Sequence, residues 1–134
     1  MKELIYLSSI LYHFYLTKEM LEVNRDTTNG YTARFSDDVV STYDGPTGHL
    51  KVTWKDVIIA EDGERFVPVH GGIYAFSQKG ADREWTLPAG FRNKNLSVWE
   101  LSAQGKREYT SWSVSGDKIR LRLSAGQSVK IAVL

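Results

Sequence analysis

No cysteine occurs among the 134 residues, which excludes disulfide staples and thiolate metal sites and leaves stability to core burial alone. An excess of one charge is missing too. Seventeen basic residues stand against sixteen acidic ones, a formal net charge of +1, so no global field draws in nucleic acid or an anionic membrane, and neither is expected as a partner. No apolar run approaches the roughly 18 residues that a membrane span needs. The apolar stretches at the start, Leu4-Ile5-Tyr6-Leu7 and Ile10-Leu11-Tyr12, carry Glu3 beside them and are interrupted by Ser8, Ser9 and His13. They read as a buried opening segment rather than a signal peptide. The three histidines, His13, His49 and His70, share no ligand spacing, so neither a metal nor a cofactor is expected. Internal repeats, low-complexity tracts and interdomain linkers are also lacking. The length suits one domain over residues 1–134.

What is present from about residue 31 onward is a succession of short runs rich in β-branched and aromatic residues, punctuated by Gly, Asp and Asn. That pattern predicts an all-β fold, an antiparallel β-sandwich. Tyr31 to Phe35 and Val39 to Tyr43 flank the polar turn Ser36-Asp37-Asp38. In His49 to Trp54, Leu50, Val52 and Trp54 share one face, a period of two with one dry side. Val57-Ile58-Ile59-Ala60 is apolar on both faces, and Glu61-Asp62-Gly63-Glu64 should form a hairpin loop before Arg65 to Val69. Pro68 lacks a backbone N–H and should lie at an edge or a bulge. Ile119, Leu121 and Leu123, then Val129, Ile131 and Val133, alternate on either side of a glycine-containing loop, which predicts a terminal hairpin of residues 118–123 and 128–134. Residues 1–24 form a different opening segment, helical near residues 2–12 or irregular.

Chemistry is sparse. A glycosidase needs an acid paired with a base or nucleophile. Asp37 with Asp38, Asp44 with Asp56, Glu61 with Asp62, and Glu84 with Glu100 are the pairs available, and adjacent aspartates in such loops read more simply as turn formers. No Gly-x-Ser-x-Gly elbow or phosphate loop is present, so no catalytic residue is assigned. Aromatic residues are the remaining resource, because sugar rings present apolar C–H faces that stack on Trp and Tyr. Trp54, Trp85, Trp99 and Trp112 are the tryptophans. Alternation sets Trp99 opposite Val98 and makes it the best platform, with Trp85, Trp112, Tyr12 and Phe14 as further carbohydrate-binding or domain-interface candidates. For each, core packing is the ordinary competing use.

The order Lys51-Val52-Thr53-Trp54-Lys55-Asp56-Val57, Arg65-Phe66-Val67-Pro68, Ile73-Tyr74-Ala75-Phe76-Ser77, Trp85-Thr86-Leu87-Pro88, Leu96-Ser97-Val98-Trp99-Glu100-Leu101 and Gly105 resembles the β-sandwich domain that follows the catalytic barrel in bacterial endo-α-N-acetylgalactosaminidases. Leu11 to Thr17 is similar to the segment by which those enzymes leave the barrel. The resemblance implies a parent enzyme that is secreted or on the cell surface and retains configuration while releasing a disaccharide from mucin-type O-glycans. Its catalytic carboxylates belong to the barrel, so none carries over. Three roles follow as expectations: an accessory module buttressing that barrel, an autonomous carbohydrate-binding module, or a small stand-alone enzyme. The first predicts an apolar patch over residues 4–16 and self-association through it. The second predicts exposed aromatics aligned on one sheet face or loop rim.

Overall fold

The β-branched runs and Asp/Gly turns fold into thirteen strands in a computed structural model, which describes residues 15, 18–26, 29–55, 57–69, 71–102 and 105–134. The strands are β1 (Met20–Asp26), β2 (Gly30–Phe35), β3 (Val39–Asp44), β4 (His49–Trp54), β5 (Val57–Glu61), β6 (Glu64–Val69), β7 (Gly72–Ser77), β8 (Ala81–Thr86), β9 (Leu96–Ser102), β10 (Gly105–Glu108), β11 (Trp112–Ser115), β12 (Lys118–Leu123) and β13 (Gln127–Val133). The helix predicted near residues 2–12 lies outside the described residues.

Two antiparallel sheets result. A ten-stranded sheet runs β1-β2-β3-β4-β5-β6-β7-β13-β9-β10, and a three-stranded sheet runs β11-β12-β8. The first seven strands form a meander closed by tight turns. Asp37 and Asp38 take left-handed φ angles of 61° and 58°, and Asp62 one of 50° before Gly63, conformations that aspartate tolerates through its short polar side chain. After β7 the chain leaves for the small sheet, returns for β9 and β10, leaves again for β11 and β12, and comes back as β13.

The predicted terminal hairpin is therefore corrected. β12 pairs with β8 and β11, whereas β13 pairs with β7 and β9. The alternations hold over most of both strands, since Ile119, Leu121 and Leu123 meet Val129 and Ile131 in one core, while Val133 at the end of β13 is 42% exposed. The two dry faces look at each other across the sandwich instead of standing side by side. The connection is an arch, with Gly126 at φ 75° and its N–H bonded to Ser77 O at 2.8 Å.

The long sheet buries different faces at its two ends. Toward the C-terminal end it packs Phe66, Ala75, Val98 and Ile131 against Trp85, Ile119 and Leu121 of the small sheet. Toward the N-terminal end a second core gathers Phe35, Val39, Val52, Val57, Ile59 and Val67. β5 and β6 serve both, with Ile58 and Phe66 turned to one core and Val57 and Val67 to the other, which is why Val57 to Ala60 is apolar throughout. Ile59 is the extra residue of a β-bulge, because Val52 faces Ala60 while Thr53 faces Ile58. β6 keeps β7 along its whole length but β5 only at Arg65 and Glu64. Pro68 thus lies beyond the β5 pairing, as a residue without a donor requires.

Candidate functional site

Register aligns the side chains of the first four strands in rows across one sheet face. Arg25, Tyr31, Tyr43 and Leu50 form one row, and Val23, Ala33, Ser41 and Val52 the next. A third brings Met20 beside Phe35, Val39 and Trp54. Over β4 and β5 this face closes into the N-terminal core, but over β1 to β3 it borders a groove of about 730 Å³ whose lining includes Tyr15, Met20, Val23, Phe35 and the Tyr31–Tyr43 pair. The two tyrosine rings stack with centroids 5.7 Å apart and planes 20° apart. They are 37% and 38% exposed, unusual for aromatics whose register partners one row away are buried.

A smaller hollow of about 250 Å³ adjoins the pair and adds Asn24, Asn29 and Thr32, with Arg25 common to both spaces. Arg25 has no ion-pair partner among the described residues. Glycine is obligatory at the start of β2, since Gly30 has φ 118° and a Cβ there would lie 1.9 Å from Tyr43 O. The close backbone approach it permits holds Tyr43 beside Tyr31. At the groove's inner wall Tyr15 stacks on Phe35 at 4.8 Å. Burial pushes the Tyr15 phenol above its ordinary pKa, opposed by a hydrogen bond with Ser41.

The tryptophans serve elsewhere. Trp85 is 4% exposed, with its ring stacked on Phe66 at 5.0 Å and the Arg83 guanidinium 4.0 Å from its centroid. As a platform it is corrected: it belongs to the small sheet and the long sheet covers it, so it is core rather than an open platform. Trp112 is half-buried against the same core and donates its indole N–H to Tyr109 O at 2.8 Å. Trp99 does stand opposite the buried Val98, half-exposed, yet the Lys106 ammonium sits 5.2 Å from its ring. A sugar stacking there would have to displace a cation. Trp54 is similarly occupied, by Lys18 at 5.6 Å and Lys55 at 5.3 Å, and donates to Asp37 at 3.0 Å. Tyr12, Phe14, His13 and His70 lie outside the described residues. Within the segment 4–16, Tyr15 is described and packs on the N-terminal core.

Five of the candidate carboxylates, Asp37, Asp44, Glu61, Asp62 and Glu100, are engaged in the framework. Asp37 accepts from Lys18, which holds its carboxyl below the usual range, with the Trp54 indole adding to the effect. Asp62 accepts the Leu50 backbone N–H at 3.0 Å, the main reason its own pKa is lowered, and faces His49 Nδ1 at 3.0 Å. Glu61 meets His49 Nε2 at 3.3 Å and Arg83 at 2.6 Å, and Arg83 also bonds Glu64 at 3.0 Å. That network ties the long sheet to β8. Glu84 and Glu100 lie in different sheets, the latter held by Arg107 and Gln127. Asp56 is outside the described residues. Among the described residues no three His, Asp or Glu side chains group to hold a metal ion.

The sequence reading passed over the tyrosine pair. A signal was available: Tyr31 and Tyr43 are equidistant from Asp37 in the turn between their strands, which makes them cross-strand neighbours in a regular hairpin. No family model matches the chain, and no curated protein matches it in sequence.

Proposed function

We propose that the chain is a non-catalytic carbohydrate-binding β-sandwich module, accessory to a glycoside hydrolase of the O-glycan-degrading kind that its sequence resembles. The Tyr31–Tyr43 pair carries the reading. Two exposed aromatics are aligned on one sheet face, with no cation over their rings among the described residues; Arg25 is in the same row, and Asn24, Asn29 and Thr32 line the adjoining hollow. A pyranose needs this combination of ring surface for its C–H face and fixed polar groups for its hydroxyls. Titration with a mucin-type O-glycan disaccharide, followed by calorimetry and by amide shifts, tests it. Binding should perturb Tyr31, Thr32 and Tyr43, and Tyr31→Ala with Tyr43→Ala should weaken it at least about tenfold. Saturable binding that survives the double change, or no binding at all, argues against the reading.

A buttressing role has its own support. Met20 and Leu21 on the edge strand β1 are 58% and 59% exposed, an apolar edge that a neighbouring barrel would cover. Without that neighbour the chain should self-associate. Sedimentation should show a dimer or larger species that Met20→Ser with Leu21→Ser shifts toward monomer.

A further inference from the structure

One charged side chain borders the tyrosine groove. Arg25 is the register partner of Tyr31, which in turn faces Tyr43, and opposed residues of antiparallel strands turn their side chains to the same face. Arg25 lines both the groove and the smaller hollow beside it, and it is exposed. Among the described residues neither space has a carboxylate in its lining. Asp44, one row on from Tyr43, belongs to the opposite face and accepts the Thr47 hydroxyl.

Arg25 also differs from the other arginines in how it is held. Arg34, Arg83, Arg107, Arg120 and Arg122 each meet a carboxylate, and Arg65 and Arg92 donate to backbone carbonyls. Arg25 is the remaining arginine, and among the described residues it has neither a hydrogen bond nor an ion pair. The contrast is sharpest across β1 itself, where Glu22 on the opposite face pairs with Arg34 at 3.4 Å. A guanidinium carries its N–H donors in a planar fork that matches an oxyanion. Here that fork stands free beside two stacked rings.

We propose that the groove recognises an acidic sugar, its ring against Tyr31 and Tyr43 and its anionic substituent, a carboxylate or a sulfate ester, paired with Arg25. The inference rests on the sugar-binding reading of the tyrosine pair and narrows it to a class of ligand. Charge complementarity selects that class. A neutral sugar would use the rings and leave the fork unpaired, and a cationic one would meet Arg25 as a like charge. Because the guanidinium is exposed, solvent screens the pair and its effect is modest. It sets a preference among sugars and is not the main source of affinity.

Calorimetry on the intact chain, at neutral pH and low ionic strength, compares the neutral O-glycan disaccharide with its sialylated and its sulfated forms. At least one acidic form should bind about fivefold tighter than the neutral one, and the advantage should shrink as salt is added. Preference for the sialylated form assigns a carboxylate to Arg25, and preference for the sulfated form a sulfate. Arg25→Gln should bring acidic and neutral forms to equal affinity, and Arg25→Lys should keep part of the difference. Equal binding of all forms by the unaltered chain, or a preference that survives Arg25→Gln, overturns the proposal and leaves the tyrosine reading in place. So does loss of every form in Arg25→Gln, since Arg25 would then serve hydroxyls common to them all. No binding of any form by the unaltered chain overturns both.

Discussion

The two ends of the long sheet use the same alternation to different ends. In the C-terminal part a second sheet covers the dry face, and large aromatics such as Trp85 and Phe66 become core. In the meander of β1 to β4 the corresponding face is only partly covered, and Tyr31 and Tyr43 stay at the surface. Burial of an aromatic here follows from the presence of a second layer, not from the residue's own hydrophobicity. Among the described residues no second sheet covers this end, and the groove is found there. If the tyrosine pair binds sugar as proposed, structure and recognition are divided along one sheet.

The sharpest way to break this division is in the double layer. Trp85→Ala should cost about 3–5 kcal/mol, as for other large buried aromatics, and urea unfolding should show both ends melting early, since β5 and β6 belong to both cores. A smaller loss, about 1–2 kcal/mol, is expected for Arg83→Ala, between the values for exposed and buried ion pairs. It removes the links from β8 to Glu61 and Glu64 and the cation over Trp85. Equal destabilisation by Glu61→Gln alone would show that the glutamate, not the tie between sheets, matters.

Acid should loosen the meander by a route the groove does not use. Asp37 and Asp62 have folded-state pKa values lowered by Lys18 and by the Leu50 N–H respectively. A depressed carboxylate pKa stabilises above the unfolded value, near 3.9, and that contribution disappears as pH falls through the folded value. Melting temperature should therefore drop below about pH 4, and Asp62→Asn should flatten part of that drop. The least effect on stability is expected from Tyr31→Ala, about 0.5 kcal/mol from a lost cross-strand pair, although the proposed sugar binding should be weakened. A stability loss comparable with that of Trp85→Ala would show that the pair is core after all.

Alternation made the strands legible in the sequence but left their partners open. His49–Trp54 and Lys118–Leu123 were readable because polar and apolar residues take turns. The same pattern says which face is dry without saying whether the matching face lies beside it or opposite it, so β12 and β13 read as a hairpin. Tryptophans drew attention for their size, yet size favours burial wherever a second layer exists, and Trp85 has one. The groove was not legible, because it depends on which rows of the first strands are brought together by register and on how far the N-terminal core extends over them. Arg65 looked like an ordinary strand charge, yet it is 7% exposed and turns its guanidinium onto the carbonyls of Asp62 and Glu64.

The central place of β13 bears on how the molecule is assembled over time. The strand last in chain order lies between β7 and β9, not at a margin. β7 must await a partner some fifty residues downstream, from Gly72–Ser77 to Gln127–Val133, and such non-local closure slows folding. During synthesis the meander can form hairpin by hairpin, while the sandwich stays open along β7 until the final strand arrives. A chain cut before Gln127 would lose an internal strand of its larger sheet and leave two unpaired edges prone to pairing with other chains.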